Sequence, residues 1–593
     1  MTATPWGFRD ILPNEAQARE DIADAAKGCL RRRGYLPVET PLLEDKGSLE
    51  RGGHIADTPF QLFDDERLLV VRPDNTLPIV RLVSSRMASA DLPLRLRYEA
   101  PVVREQPQYA GASRQFTQLG FELIGVGDAQ GDAEVVSVTA DVLDALGMKD
   151  WRIVCGSVRP FKELLARCDK DLAKRCLAAV HANDFIDLDD IVAASDEPES
   201  VKHAISQLPR VRGGIEALDR VEELLSAAGV DASAAGELRD LCRELCGDEA
   251  NAFQPLAGRL RFDFSLMNSF DYYTGLVFKA YAGGLSDPVG SGGRYDAIFD
   301  GKIAGSDHVP AAGFAFSLER LERARGEVSV RNETEPESAS QGTPSGNCAA
   351  APADSAPLRI AVPKGSLKPG TLEALEAVGL DVSELRDPGR HLIVRGRDMR
   401  RDAACSLGDI EYVIVRPTDA PAFVACGGAD CGVCGRDSLI EAGLNLLQLV
   451  DLKYGECRFI EAEPIARAGE AERAYARRGS LRVATKYPRI AASWYASRGI
   501  NAEIVSLHGN IELGPIVGMT DRIVDITATG ATLRENDLVI TGELMSCTAR
   551  FFVNPGRARL DPRVRELADR LAAYMQERPA SVDDVVAGGA VTE

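Results

Sequence analysis

The chain predicts an α/β protein built from more than one folded unit, and three observations carry that prediction. Its 593 residues are far too many for one hydrophobic core, so roughly three or four structural units are expected. Residues 326–357, GEVSVRNETEPESASQGTPSGNCAAAPADSAP, are rich in Ser, Pro, Ala, Gly and Glu and nearly empty of large apolar side chains. Such a stretch cannot bury enough surface to offset its ordering entropy, and it reads as a flexible, disordered linker. Beyond it, apolar strand-like runs alternate with helical ones, the pattern of an α/β domain with a mostly parallel sheet. The expected organisation is therefore 1–325, a linker at 326–357, and 358–593. No short-period internal repeat points to a solenoid.

In the second part, LRIAVPKGSLKPGTLEALEAVGL (358–380) reads as a strand, a tight turn and an amphipathic helix. The strand-like IEYVIVRP (410–417) precedes a second turn, and ADCGVCGRDSLIEAGL (429–444) repeats strand, glycine turn and helix. LRVATKYPRIAASWYASRG (481–499) and AEIVSLHGNIELGPIVG (502–518) continue the alternation, the latter with a GNIEL strand. Sheets of this kind bind ligands beyond the carboxyl ends of their strands. In the first part, amphipathic runs such as ELRDLCRELCG (237–247) predict a helical insertion at about 157–260.

Composition narrows the function classes. Apolar content of 45% and charged content of 27% are those of a soluble globular protein. No apolar run approaches the ~18 residues of a membrane span. The start MTATPWGFRDILP lacks a basic-then-apolar leader, so a cytoplasmic location is expected. Thirteen cysteines, an odd number without secretory context, read as reduced thiols. With 90 acidic against 69 basic residues the net charge is −21, which argues against broad nucleic-acid binding but not against a local polyphosphate site. Cys426, Cys431 and Cys434 lie in CGGADCGVC, whose CxxC lacks a second Cys or His pair; they read as structural cysteines, and no metal site is expected. His508 has no obvious partner.

One short stretch carries chemistry by itself. DITATGATLREN (525–536) leaves an apolar approach through a hydroxyl-rich glycine turn towards a helix start. Free backbone N–H groups and partial positive charge at such a start can hold a phosphate, with threonine hydroxyls assisting. Asp525, acceptor-only, suits a pair of sugar hydroxyls nearby. The alternative is a plain capping turn, with Thr529 or Thr532 as N-cap and nothing bound.

The blocks PKGSL (363–367), RPTD (416–419), GGADCGVCGRDSLIE (427–441), KYGECRF (453–459), RVATKYPRI (482–490) and HGNIELGPIVGMTDRIVDITATGATLREN (508–536) closely resemble ATP phosphoribosyltransferase, the first enzyme of histidine biosynthesis. The likeness covers nearly all of about 358–575 and is of the short form, which lacks a C-terminal regulatory domain and depends on a separate regulatory subunit. It implies a two-lobed α/β domain of periplasmic-binding-protein-like type. It also implies that adenine N1 of ATP displaces pyrophosphate from C1 of phosphoribosyl pyrophosphate, giving N1-(5-phosphoribosyl)-ATP. Thr529, Gly530, Ala531 and Thr532 would then hold the 5-phosphate and Asp525 the ribose hydroxyls. Lys364, Arg390 and Arg416 would surround substrate phosphates and the leaving group, and Asp437 and Glu512 would contact nucleotide sugars. Mg²⁺ would arrive on the substrate phosphates. Two departures stand out: Ser366 replaces the arginine of a frequent PKGRL, and Ala528 fills a position that is frequently acidic or serine.

In the first part, GFRDILPNEA (7–16), RRRGYLPVETPLLE (31–44), VRPDNT (71–76), RYEAPVVREQPQ (97–108), RQFTQLGFELIG (114–125), FDYYTGLVFKAY (270–281), GGRYD (292–296) and GFAFSLERL (313–321) resemble, in order, the catalytic domain of histidyl-tRNA synthetase. The implied fold is a class II antiparallel sheet flanked by helices. Asp74, Thr76, Gln118, Glu122, Tyr272 and Tyr273 match positions that bind histidine in that family. The departures fall on cations that adenylation requires. Asn268 stands where LVRGLDYY has an arginine, the motif around Arg104 is shortened, Ala112 replaces another arginine, and the linker occupies the place of the anticodon-binding domain. Each lost contact of this kind costs adenylation roughly 10²-fold or more.

This half accordingly resembles the regulatory subunit of the short-form enzyme. The implied function is a fused phosphoribosyltransferase whose first half activates catalysis in the second and senses histidine for feedback inhibition, forming a homo-oligomer and binding no tRNA. Fusion fixes a one-to-one ratio and keeps the partner's effective concentration high. One alternative is a bifunctional chain that still charges tRNA, against which Asn268 and the missing anticodon domain speak. Another is a solute-binding module of similar shape, against which the complete DITATGATL loop speaks.

Overall fold

The computed structural model describes residues 4–50, 60–64, 67–106, 113–246, 256, 258–266, 273–300, 302, 308–333, 356–400, 405–527 and 530–577. Contacts divide the chain between Ala349 and Ala350. That division lies inside the stretch read as linker. The helix Leu318–Glu333, however, runs past Gly326, so helix rather than linker occupies the beginning of that stretch. The remainder, 334–355, lies outside the described residues.

The N-terminal unit is organised by a nine-stranded sheet. Its strands run, from one edge, Leu36–Pro37, Leu94–Val103, Gln115–Ile124, Ala311–Ser317, Gly290–Arg294, Leu276–Tyr281, Arg152–Ser157, Leu260–Asp263 and Arg212–Gly213. From Leu94–Val103 to Arg152–Ser157 every pairing is antiparallel. The central strands are buried almost throughout, because helices such as Asp128–Ala145 cover them. Phe278 stacks on Phe314 at 4.8 Å between ring centroids, and Phe316 meets Phe314 edge-on at 4.7 Å. Among the described residues, six α-helices, from Arg159–Leu165 to Ser233–Cys246, and the 3-10 turn Leu208–Arg210 lie in the span predicted as a helical insertion. A separate three-stranded sheet joins Leu43–Asp45, Arg67–Val71 and Gln61–Asp64.

The C-terminal unit has two lobes, each built on its own sheet. The first orders six strands as Ile393–Arg397, Asp409–Val415, Leu358–Pro363, Cys431–Gly435, Ala549–Val553 and Leu447–Asp451. The second orders five as Ala502–Ser506, Leu481–Thr485, Arg522–Thr527, Cys457–Pro464 and Leu538–Cys547. Each sheet has a parallel core of three strands, extended by antiparallel neighbours. The sheets are thus more mixed than alternation alone predicts. The reason is the chain's path: it leaves the first lobe after Asp451, completes the second, and returns through Ala549–Val553 as an antiparallel strand. GNIEL is not a strand but a turn leading into the one-turn helix Leu513–Ile516, as its internal glycines and proline favour.

Candidate functional site

The first lobe gathers its candidate residues at the carboxyl edge of its parallel core. Pro363 pairs with Val415, so Lys364 and Arg416 leave neighbouring strands side by side, and the Lys364 N–H donates to the Val415 carbonyl at 2.8 Å. The Ile414 N–H donates to the Leu392 carbonyl at 2.8 Å, which draws the turn bearing Arg390 alongside the same strand end. All three cations are exposed. Asp437 enters from the next parallel strand, at the start of the helix Arg436–Ala442. It is 8% exposed, and burial raises its carboxyl above the usual range against hydrogen bonds from Ser438 and Tyr487. Gly435 makes room for it: a Cβ there would stand 2.0 Å from Asp437 Oδ1.

The second lobe does the same at its own carboxyl edge. Asp525, 8% exposed, sits near the end of the strand Arg522–Thr527. Burial raises its carboxyl, the nearby Glu512 charge adds to the rise, and the Ile526 N–H and Lys486 oppose it. Lys486 Nζ lies 3.9 Å from Asp525 Oδ2. Glu512 is half-buried at the N-cap of Leu513–Ile516. The Gly530 N–H donates to Thr527 Oγ1 at 2.9 Å and closes the turn.

Gly530 is itself the N-cap of the single turn Ala531–Glu535, at φ 69°, a left-handed conformation that glycine adopts without cost. This corrects one reading of the loop. Thr532 lies within the turn as an exposed residue and is not its N-cap. Ala531 contributes backbone there, whereas Ala528 and Thr529 lie outside the described residues.

Tyr487, absent from the sequence-based candidates, links the two edges. Its backbone N–H donates to the buried Thr485 Oγ1 at 2.9 Å, and its phenol lies close enough to Asp437 of the other lobe for each to shift the other's titration. Burial and the charges of Asp437 and Asp525 push its phenol upward. Lys486 and Tyr487 both follow directly on the parallel strand Leu481–Thr485, so the strand-end rule that selected Lys364 and Arg416 would have found them. Together the two edges offer exposed cations suited to phosphate oxygens, and two buried carboxylates suited to hydroxyls. Ser366 is exposed in the turn after Pro363. Among the described residues no group of three His, Cys, Asp or Glu side chains is placed to hold a metal ion. Cys431 and Cys434 are buried in a strand and Cys426 is exposed at a helix end.

In the N-terminal unit the predicted pocket residues converge. Glu122, 1% exposed, accepts from Thr76 Oγ1 at 3.0 Å and from the hydroxyls of Tyr98 at 3.3 Å and Tyr295. Its carboxyl is pushed up to about 8, first by burial. Asp74 accepts from Gln118 Nε2 at 3.2 Å and from the Thr76 N–H at 2.7 Å, and Arg104 Nη2 lies 3.5 Å from it. Gln118 Oε1 accepts from the side chain of Asn75 at 2.9 Å. Gly313 faces Glu122 across paired strands, and a Cβ there would stand 1.7 Å from Glu122 Oε2. Tyr273 is buried nearby, where it adds to the upward push on the Tyr295 phenol. Tyr272, Asn268 and Ala112 lie outside the described residues. Tyr98 and Tyr295 belong to motifs quoted above, but nothing in spacing singles them out; only the strand register places them over Glu122.

Comparison with known proteins agrees with this division. The family profile "Histidyl-tRNA synthetase" matches residues 7–321, and "ATP phosphoribosyltransferase" matches 416–576. An ATP phosphoribosyltransferase of Rubrobacter xylanophilus is 45% identical over 37% of this chain and 96% of its own length. An ATP phosphoribosyltransferase regulatory subunit of Moorella thermoacetica is 36% identical over 55% of this chain and 82% of its own. A crystal structure described as an ATP phosphoribosyltransferase regulatory subunit/histidyl-tRNA synthetase from Bacillus halodurans C aligns with a TM-score of 0.49 at 26% identity, covering 66% of this chain and 91% of that one. By its first half this chain belongs to the histidyl-tRNA synthetase family, on the branch of ATP phosphoribosyltransferase regulatory subunits, and by its second half to the ATP phosphoribosyltransferases.

Proposed function

We propose that the chain is a self-contained, regulated ATP phosphoribosyltransferase that converts ATP and phosphoribosyl pyrophosphate to N1-(5-phosphoribosyl)-ATP and pyrophosphate. The observation that carries the residue roles is the meeting of two strand-end edges, with Lys364, Arg390, Arg416 and Asp437 on one and Lys486, Glu512, Asp525 and Gly530 on the other, at Tyr487, which packs with Ile440 of the first lobe and feels the charges of both Asp437 and Asp525. The reaction passes through a cation-like ribose with a departing pyrophosphate. Preorganised cations lower that barrier because they already sit where charge develops. Lys364, Arg390 and Arg416 are assigned to substrate phosphates and the leaving group, and Arg can grip such oxygens bidentately. Asp525 holds the ribose hydroxyls beside the Thr527–Gly530 turn, where Thr529 to Thr532 receive the 5-phosphate. Asp437 and Glu512 take nucleotide hydroxyls. Mg²⁺ enters as the complex of the substrate phosphates and helps to neutralise the leaving group.

The N-terminal unit senses free histidine. Asp74 and Glu122 are the carboxylates for its cationic groups, with Thr76, Gln118, Tyr272 and Tyr273 completing the pocket. The enzyme works in the cytoplasm as a homo-oligomer. The test mixes the purified chain with ATP, phosphoribosyl pyrophosphate, Mg²⁺ and pyrophosphatase, and follows phosphoribosyl-ATP by its ultraviolet absorbance with and without histidine. Turnover suppressed by histidine is expected; a folded chain without turnover refutes the reading.

A further inference from the structure

Two thiols stand where the catalytic unit's lobes are joined. The chain crosses into the second lobe between Asp451 and Cys457 and returns between Cys547 and Ala549, so each cysteine ends a crossing on the second-lobe side. The crossings are tied together. The Leu452 N–H donates to the Ala549 carbonyl and the Ala549 N–H to the Tyr454 carbonyl, both at 2.9 Å, and Thr548 Oγ1 donates to Asp451 Oδ1 at 2.7 Å.

Cys457 and Cys547 are direct partners across antiparallel strands. Opposed residues in such a pair have Cα atoms about 4.5 or 5.5 Å apart, and both spacings fall within the range a disulfide spans. As direct cross-strand partners, the two side chains point to one face of the sheet, and each thiol shifts the other's titration. They share an apolar cluster with Tyr487 and with Ile440 of the first lobe. Cys457 is half-buried and Cys547 buried, and neither has a role in the chemistry assigned above.

We propose that Cys457 and Cys547 form a reversible disulfide that locks the junction between the lobes and lowers turnover. The Cys457 thiolate attacks one sulfur of a small-molecule disulfide, forming a mixed disulfide and releasing one thiolate, which takes up a proton. Cys547 then loses its proton to solvent and its thiolate attacks Cys457 Sγ, expelling the second thiolate. The protein dithiol is oxidised by two electrons and the small disulfide is reduced to two thiols. Bond formation draws the sulfurs to about 2.05 Å. That movement acts on the crossings and on the cluster that seats Tyr487, and it misaligns substrates held between two lobes. A displacement of about 1 Å can cost on the order of 10²-fold in rate, so a loss of tenfold or more is expected.

The turnover arm rests on the proposed phosphoribosyltransferase reading; the disulfide arm does not. The full chain is equilibrated with oxidised glutathione under native conditions, digested without reduction, and mapped by mass spectrometry, and initial rates are measured on the same samples before and after dithiothreitol. Wild type is expected to yield a peptide joining 457 to 547 and a rate loss of tenfold or more that dithiothreitol reverses. Cys457→Ser, with Cys457→Val should serine disturb this apolar site, is expected to give neither. Absence of the joined peptide overturns the proposal, and a joined peptide with an unchanged rate overturns its regulatory half. A joined peptide in a chain without turnover in either state supports the disulfide and refutes the proposed function instead.

Discussion

Replacing Glu122 by glutamine should change how the stability of the N-terminal unit depends on pH. The carboxyl is raised from 4.5 to about 8, above all by burial, while the hydrogen bond from Tyr295 opposes the rise and the charge of Asp74 adds to it. The folded protein therefore holds a proton that the unfolded chain has released between these two values. Stability contributed by the neutral carboxyl is full below 4.5, falls as pH rises through the window, and is exhausted above about 8. At about 1.4 kcal/mol per pH unit, the window is worth on the order of 5 kcal/mol. Glutamine keeps the shape and titrates nowhere. Its oxygen still accepts from Thr76 and Tyr98, and the Tyr295 hydroxyl can turn to accept from the amide. Thermal unfolding of both full chains from about pH 5 to about pH 9 reads the effect as a difference of midpoints for the N-terminal unit's transition. The variant should gain on wild type with rising pH, by on the order of 5–10 °C across the window. A gap independent of pH, or one that moves the other way, refutes the assignment of a neutral buried carboxyl.

Three further outcomes follow from the catalytic unit. Asp525→Asn removes the acceptor-only group beside Lys486 and should lower kcat/KM for phosphoribosyl pyrophosphate by roughly 10²-fold, read by the ultraviolet assay with circular dichroism unchanged. Gly435→Ala needs no new backbone conformation, since φ there is −70°, yet its methyl would strike Asp437 Oδ1. It should cost a comparable factor in steady-state kinetics through Asp437 alone. Arg522→Leu leaves Glu461 and Glu463, bonded to the guanidinium at 2.9 and 3.0 Å, buried without their cation. Chemical denaturation should show a loss of about 3–5 kcal/mol.

Much of the catalytic unit was legible because its strands are short apolar runs followed by glycine turns, and those turns are where a parallel core presents its ligands. Lys364, Arg416 and Asp437 could be placed on that ground and do share one edge. What the pattern could not carry was pairing. Antiparallel strands such as Ala549–Val553 are as apolar as the parallel ones, so the mixed character of the sheets is hidden in sequence. The GNIEL segment was misread for a related reason: two apolar residues in five suit a strand or a turn equally, and the following Gly-Pro decides. Tyr487 and Tyr295 are not singled out by the pattern, because a tyrosine one or two residues beyond a strand looks like core until the fold brings a carboxylate to its hydroxyl.

The glycines close that gap. In each unit a glycine stands against the carboxylate on which binding is argued to depend: Gly313 on the strand opposite Glu122, Gly435 two residues before Asp437. A side chain at either position would occupy the volume the carboxylate needs, so the motif letters G in GFAFS and in CGRD record the position of a neighbouring acid rather than a turn. Burial then does the rest. Both carboxyls are raised, which means each is held in an environment that disfavours its charge until a cation or a set of hydroxyl donors arrives. A ligand that supplies those groups gains the interaction and relieves the penalty together, and histidine binding at Glu122, whose carboxyl is raised to about 8, should therefore release a proton into the buffer. Calorimetric titration of histidine in buffers of different ionisation enthalpy would measure it. Enthalpies that do not vary with the buffer below about pH 8 would show that Glu122 was already charged, and that Gly313 serves packing alone.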